Sequence, residues 1–527
     1  MKHIALSGFM GTGKSTVGPR LAARLGVEFV DTDAEIERAA GKTIAELWRA
    51  EGEAAFRARE AALVEGMLAG DRQRVIAFGG GTVTNKATRR AALDRALVVT
   101  LTASAATCVA RVPDVADRPN LAVGRDPVAR ARELLADRQA AYAECHMAVS
   151  TEALDVDAVV AAIGALEARD PLLVPLGIRS YCIDVCDGEL GRLTHAVAGC
   201  APSKLVIVTD SNVERARGAA IDAALRPLGL PTTRVTMPPG EQHKTLSSVG
   251  AIWDAALGAG VDREAVVVAV GGGVVGDLAG FAAACLLRGV RFVQVPTTLL
   301  AMVDASVGGK TGCDHPVGKN LIGAFHQPSA VVADLSHLET LPAREYRSGL
   351  AEVVKVALAT DALLLDRVER EAGNLAGGDR SALRTVVRDA IRAKIVVVRD
   401  DEREAGARAL LNLGHTVGHA LEAHGGYAKW LHGEAVALGL VAEMRAMGLL
   451  GWTPPRLVER VMRLLNALGL PTRAAPSDIA AAWPFVGADK KRAGDDVRVV
   501  VVTAPGVSHV ERVSIADLRD AVLRSCE

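Results

Sequence analysis

The chain is predicted to fold as two α/β domains in series, the second ending in a helical part. Three observations predict this. At 527 residues it is longer than one ordinary hydrophobic core supports. Twice, a short apolar run leads directly into a glycine-rich turn and then a helix-like stretch: Lys2 to Leu6 into Gly8–Thr16, and Ala265 to Val270 into Gly271–Asp277. Strand, tight turn and helix start, in that order, open a parallel sheet flanked by helices. From Leu350 the pattern turns helical. The expected layout is therefore a first domain over 1–168 and a second over 172–527. The second divides into a Rossmann-like α/β part, about 172–340, and an all-helical part, about 341–527.

Composition narrows the function classes. Basic and acidic residues nearly cancel, 61 against 62, which removes any charge argument for nucleic acid or an anionic membrane surface. Eight cysteines occur without a metal-type CxxC pair, and Cys182 and Cys186 lie in a strand-like run as buried thiols, so a reducing cytoplasm fits. The apolar start is absorbed by the loop from Gly8, which argues against a signal peptide. The most apolar region, Ala265–Leu287, is interrupted by a glycine triplet and Asp277, too broken to span a bilayer.

In the first domain, Gly8 to Ser15 reads G-x-x-x-x-G-K-S between a strand and a helix. Such a loop turns backbone N–H groups onto phosphate oxygens, with the helix N-terminus adding positive potential. Gly11, Thr12, Gly13, Lys14, Ser15 and Thr16 are the expected ATP contacts, with Lys14 reaching the β/γ-phosphates and Ser15 holding Mg²⁺. Asp31-Thr32-Asp33 ends the next strand. Its carboxylates either orient Mg²⁺ and a substrate hydroxyl or cap the following helix. Arg57 offers a fork for a carboxylate, or lies on an ordinary helix surface. Val75–Phe78 delivers Gly79-Gly80-Gly81-Thr82, where a ligand can approach the backbone closely. Arg118-Pro119-Asn120-Leu121 and Arg138 are the kind of parts that form a lid over a phosphoryl donor.

Together these motifs resemble shikimate kinase, over about residues 1–165. The resemblance implies a P-loop kinase fold, with Asp33, Arg57, Gly80 and Arg138 binding shikimate. It also implies Arg118 closing over the transferring phosphate, Arg111 near the adenine, and Asp33 positioning the attacking 3-hydroxyl or taking its proton. Ala143-Glu144-Cys145-His146 departs from the family pattern. Asp170-Pro171 then breaks the helical run, and Leu172–Val185 alternates like a strand pair.

In the second domain, Leu205–Asp210 is a buried strand ending in a carboxylate of the kind that holds ribose hydroxyls. Gly271-Gly272-Gly273 reads as a pyrophosphate cradle or as a structural tight turn. Lys310 and Lys319 lie in glycine-rich loops and suit an anion, or plain solvation. Glu352 and Lys355 fall three apart on one helix face amid apolar residues. Arg408–Glu434 holds four of the chain's twelve histidines. His415 and His419 share a helix face, and His432 follows a Gly-Gly turn. Two histidines and a distant carboxylate make a three-ligand catalytic metal set, with Glu352 as the carboxylate.

G-G-G-V-x-G-D, P-T-T-L-L-A-x-V-D-A-S-V-G-G-K, G-L-A-E-V-V-K, L-N-L-G-H-T-x-G-H and L-H-G-E-A follow one another in the order seen in 3-dehydroquinate synthase, which this domain resembles. The resemblance implies Zn²⁺ (or Co²⁺) on Glu352, His415 and His432. Spacing alone would pair His415 with His419; the family reading leaves His419 to meet the substrate. It implies NAD⁺ on Asp210, Asn212, Glu241, Lys244, Gly272, Gly273, Val274, Asp277, Thr297 and Thr298, with Asp304, Lys310, Lys319, Thr340 and Glu345 nearby. Substrate groups fall to Asp304, Lys310, Lys319, Asn320, Lys355, Lys394, Arg408, Asn412, His419 and Lys490, with Arg288 crossing from a second copy, hence a homodimer through this domain. The expected reaction converts 3-deoxy-D-arabino-heptulosonate 7-phosphate to 3-dehydroquinate and phosphate, with NAD⁺ regenerated in each turnover. A metal-dependent polyol dehydrogenase joined to a non-catalytic nucleotide-binding module is the rival reading. The lysine set argues against the dehydrogenase, because an uncharged polyol needs few cations.

Overall fold

The computed structural model describes residues 2–113, 120–121, 126–486, 492–493 and 496–525. The chain divides into two compact units, Met1–Cys182 and Ile183–Glu527.

The first unit is built on a five-stranded sheet in the order Glu28–Asp31, Arg74–Ala77, His3–Ser7, Ala96–Thr102, Met147–Ser150. Every neighbouring pair is parallel. The central strand is buried along its whole length, as a strand covered by helices on both faces must be. Two apolar clusters lie on the two sides: one gathers Phe9, Phe78, Leu121 and Leu134, the other Leu6, Val17, Leu21 and Ile163. The unit ends later than position 168, and the reason is local. Only Leu172–Val174 and Tyr181–Cys186 of the expected strand pair are strands, and the loop between them is hydrogen-bonded back through Gly177 N to Glu144 Oε1, 3.1 Å.

In the second unit, Ala330–Asp334, Arg291–Pro296, Val266–Gly271, Leu205–Asp210 and Thr232–Met237 lie side by side in that order, all parallel. This is a doubly wound arrangement in which strand order reverses about the middle, leaving a crevice beyond the strands' carboxyl ends. Lys310–His315 and Gly318–Phe325 form an antiparallel hairpin. From Ala343 helices dominate, as expected, but this part is not all-helical. Asp496–Ala504 and Val507–Ser514 pair antiparallel, with Arg492–Ala493 alongside. The run V-R-V-V-V-V-T-A is rich in β-branched residues, and Pro505-Gly506 supplies the turn, Gly506 at φ 72°. Among the described residues no helix is long and apolar enough to cross a membrane.

Each unit holds a buried neutral imidazole. Burial pushes His146 down to about 3, and Val98 N–H donates to its Nδ1 at 3.0 Å, so that nitrogen carries no proton. Burial likewise pushes His337 down to about 4. Both imidazoles charge more readily in the unfolded chain, so stability is lost as pH falls below about 6.5. Between neutral pH and pH ~4 the loss should be a few kcal/mol in all. Urea midpoints followed by circular dichroism across that range should fall steadily; a flat profile would contradict the assignment.

Candidate active sites

In the first unit the strand His3–Ser7 ends in the loop that precedes helix Lys14–Leu25. Gly8, Gly11 and Gly13 have φ of 129°, 75° and 91°, a left-handed series closed to residues with a Cβ. At Gly11 a Cβ would also meet Cys108 O at 2.2 Å. Lys14 Nζ folds over the loop onto Gly8 O and Phe9 O, 2.8 and 2.9 Å, and Thr12 Oγ1 donates to Phe9 O at 2.7 Å. Ser15 and Thr16 are exposed on the first turn of the helix. Ser15 Oγ donates to Asp31 Oδ2, 2.9 Å. The D-T-D stretch therefore splits its duties. Asp31 caps helix Thr32–Ala40 through Asp33 N and Ala34 N and holds Ser15, whereas Asp33 lines the neighbouring pocket. Arg111 Nη1 donates to Thr151 Oγ1 at 2.9 Å. Arg118 lies outside the described residues.

That pocket brings Asp33, Arg57, Gly80 and Arg138 together, with Met10, Trp48 and Phe56 as its apolar wall. Arg57 is not a plain surface residue. Its Nη1 donates to the buried Glu60 at 2.6 Å, and its guanidinium lies 5.7 Å from the Trp48 ring centre. Glu60 in turn accepts from Thr82 Oγ1, 2.5 Å. Arg138 Nη1 and Tyr142 OH both donate to Gly80 O, 2.9 and 2.5 Å. At Gly79 a Cβ would stand 2.6 Å from both Asp33 Oδ1 and Glu60 Oε1, so the triplet lets carboxylates and backbone close up.

In the second unit, Asp210, Gly271 and Pro296 end adjacent strands and share one edge. Gly272 precedes helix Gly273–Cys285, where Val274 and Asp277 lie in the first turns, and Thr297 N–H donates to Gly271 O at 2.9 Å. A Cβ at Gly272 would press on Thr298 Cγ2 at 3.1 Å. Asp210 caps helix Ser211–Leu225 through Asn212 N and Val213 N. Lys244 Nζ is buried between Asp277 and Asn320, 2.6 Å from each. Lys319 Nζ lies 3.3 Å from both Glu241 and Glu422. Thr340 ends the turn Leu335–Thr340, and Glu345 stands in the first turn of helix Ala343–Thr360. Arg288 is exposed in a left-handed turn, φ 67°.

Glu352 comes from helix Ala343–Thr360, His415 opens helix His415–His424, and His432 opens helix His432–Leu449. Their ligand atoms lie within 4.8 Å of one another. Glu352 Oε1 is 3.9 Å from His415 Nε2 and 3.6 Å from His432 Nε2. The other ring nitrogens are taken: His415 Nδ1 contacts Leu413 O and His432 Nδ1 contacts Glu422 Oε2, each at 3.1 Å. Both imidazoles thus turn Nε2 toward a carboxylate that is 2% exposed and whose oxygens accept no hydrogen bond of good geometry. Burying this charge is costly; the Lys355 ammonium offsets part of the cost, and a divalent cation held with the two imidazoles would offset more. Burial alone would lower His432, but Glu422 and Glu352 outweigh it and push the ring up to about 10. His419, Glu422 and His432 meet the same distance criterion, and each carboxylate also pairs with an ammonium, Lys319 on Glu422 and Lys355 on Glu352.

Cations ring this centre. Lys355 ion-pairs with Glu352, and Lys394 with Asp304. Burial lowers Lys394 to about 8, while Asp304 is held well below the carboxylate range, against its burial, by Lys394 and Lys355. Lys310 Nζ meets Glu404 at 2.5 Å, and Asn412 Nδ2 donates to the same carboxylate at 2.8 Å. Arg408 is buried and donates to Gly308 O, 3.1 Å. Lys490 lies outside the described residues.

Comparison with known proteins decides the family. Residues 234–348 match 3-dehydroquinate synthase N-terminal, 349–492 match 3-dehydroquinate synthase C-terminal, and 10–166 match shikimate kinase. The 3-dehydroquinate synthase of Halorhodospira halophila is 47% identical over 336 residues, 63% of this chain and 93% of that protein. The chain belongs to the 3-dehydroquinate synthase family. Its first unit adds a shikimate kinase domain. Among solved structures, 2-epi-5-epi-valiolone synthase from Streptomyces hygroscopicus subsp. jinggangensis 5008, with NAD⁺ and Zn²⁺ bound, is 29% identical over 66% of this chain and 96% of that one, TM-score 0.58. Shikimate kinase from Acinetobacter baumannii, in complex with shikimate, is 34% identical over 32% of this chain and 94% of that one, TM-score 0.31.

Three carboxylates in the synthase unit escape sequence reasoning. Glu422 backs His432 and Lys319. Glu404 ties Lys310 to Asn412. Glu443, fully buried, accepts from Gly414 N at 3.0 Å and Val417 N at 2.9 Å and so fixes the turn into His415. Glu422 did carry a signal, since it falls three residues after His419 and seven after His415 on one helix face. Partners behind ligating histidines orient the ring and raise its basicity. Glu422→Gln should therefore weaken metal retention about 10- to 100-fold, read by competition with a chromogenic chelator; unchanged retention would exclude that role.

Proposed function

We propose that the chain is a bifunctional enzyme of aromatic precursor synthesis. Its first unit phosphorylates the 3-hydroxyl of shikimate with ATP. Its second converts 3-deoxy-D-arabino-heptulosonate 7-phosphate to 3-dehydroquinate and phosphate. The observation that carries the second reading is the buried Glu352 carboxylate, facing two imidazoles within a ring of lysine and arginine.

In the kinase unit, Gly11–Gly13 and the N-terminus of the following helix cradle the phosphates of ATP. Lys14 leaves its two carbonyl partners for the β/γ-phosphates, and Ser15, held by Asp31, is placed to bind Mg²⁺. Arg57 and Arg138 take the shikimate carboxylate, and an Asp33 oxygen accepts the hydrogen bond of the attacking hydroxyl. The work is positioning and charge neutralisation, as phosphoryl transfer requires.

In the synthase unit, Glu352, His415 and His432 would hold Zn²⁺ or Co²⁺, and the strand-end crevice with Asp210, Lys244, Gly272 and Asp277 would hold NAD⁺. When bound, these groups supply a hydride acceptor and donor at C5 and polarise the oxygens there, so the conversion has no net redox. Lys355, Lys394, Arg408 and Asn412 neutralise and orient the phosphate and carboxylate of the substrate. His419, beside the metal set, is left to hydrogen-bond the reacting hydroxyls. An uncharged polyol would need few of the lysines and arginines gathered here. A homodimer belongs to the same proposal, supported by Arg288 standing exposed where it could reach a second copy. So does a cytoplasmic setting, supported by free thiols at every described cysteine. The test is phosphate release from the heptulosonate phosphate with and without chelator, alongside ADP release with shikimate. Both products are expected, phosphate only with metal. NADH accumulating with a polyol, or ATP binding without shikimate turnover, would refute the corresponding half.

A further inference from the structure

Resting on the kinase reading, we propose that Glu144 is a positioning residue for shikimate, braced by the loop Leu176–Ser180. Glu144 lies in the segment that departs from the family pattern, directly after helix Pro127–Ala143, which carries Arg138 and Tyr142. Its Oε2 accepts from Arg89 Nε at 2.6 Å, and its Oε1 from Gly177 N at 3.1 Å. Arg89 Nη1 continues to Val83 O, 2.6 Å. Val83 belongs to the turn Thr82–Thr84, which closes the glycine triplet of the acceptor pocket. The triplet is thus held from two sides. Arg138 and Tyr142 grip Gly80 O, and the relay from Gly177 through Glu144 and Arg89 grips the turn that follows.

The relay is built to be stiff. The Arg89 and Glu144 side chains are 13% and 17% exposed, so the pair is shielded from the solvent that makes surface ion pairs weak. The loop is closed on itself: Ser180 Oγ accepts from Leu176 N at 2.9 Å and donates to Gly177 O at 2.6 Å. Gly177 takes φ 61°, and a Cβ there would stand 3.6 Å from Ala140 Cβ of the same helix. Loosening Glu144 frees the turn Thr82–Thr84 and lets Gly80 drift relative to Arg138. That drift acts on shikimate. The phosphate loop hangs from a different strand end and has its own glycine turns, but Gly80 borders it, a Cβ there standing 3.3 Å from Met10 N, so the KM for ATP is the control.

The experiment is steady-state kinetics on the full-length chain with both kinase substrates varied, for Glu144→Ala and the near-isosteric Glu144→Gln. The KM for shikimate should rise about tenfold in the first and about threefold in the second, which keeps an acceptor for Gly177 N–H but loses the charge. The kcat, the KM for ATP and phosphate release by the synthase unit should stay as in the unaltered chain. An unchanged KM for shikimate, or a parallel rise in the KM for ATP, overturns the inference while the kinase reading stands. No shikimate turnover in the unaltered chain overturns both.

Discussion

Glu352→Ala is expected to abolish phosphate release from the heptulosonate phosphate, by on the order of 10³-fold or more, while shikimate phosphorylation continues at its normal rate. The substitution removes the only carboxylate of the metal set. It also leaves Lys355, buried on the same helix face, without its ion-pair partner. Both effects strip the centre of the charge balance that holds a divalent cation, so the variant should retain neither Zn²⁺ nor Co²⁺ after dialysis. Glu352→Gln keeps the volume and tests charge alone; it should fail nearly as badly, because a neutral amide is a much weaker ligand to a divalent cation than a carboxylate. Among the described residues the kinase pocket is lined by the first unit, so its turnover serves as an internal control for folding. Synthase turnover in Glu352→Ala within tenfold of normal would sink the metal assignment.

The complementary result is expected of Lys14→Ala: kinase turnover falls on the order of 10³-fold and the synthase rate is unchanged. Lys14 is parked on two carbonyls of its own loop, Gly8 and Phe9. Those contacts hold the ammonium over the loop whose backbone N–H groups face the phosphates. The loop's shape comes from its glycines, so removing the amine should leave the fold and much of the nucleotide contact in place. The signature is therefore a fall in kcat larger than any rise in the KM for ATP. Equal losses of both activities would instead point to a collapsed chain.

Both halves were readable because their chemistry is written in short, ordered motifs. The phosphate loop, Arg57, the Gly79–Gly81 triplet, Glu352 and the histidines are each embedded in a local pattern that dictates its backbone setting. What escaped is chemistry made by burial. Glu422 and Glu443 sit on helices that only tertiary packing covers, and Glu404 lies in a loop whose partner Lys310 comes from a distant stretch. Asp31 illustrates the middle case. Both readings of it were visible, and it serves as helix cap and as partner of Ser15 at once. The C-terminal hairpin escaped for another reason: its valine-rich run was read with the helices around it, although the turn at Pro505-Gly506 was on view.

Gly414 and Gly439 carry a consequence for how the chain can change. A Cβ on Gly439 would stand 2.1 Å from Gly414 O, and one on Gly414 would stand 2.8 Å from Leu440 N. The helices that bear His415 and His432 therefore touch main chain to main chain, and the spacing of their imidazoles is gauged by peptide groups, which have no rotamers to yield. Mutational drift can recolour the rest of that bundle and leave the gauge intact, but one extra methyl at the seam has nowhere to go except into the grip on the ion.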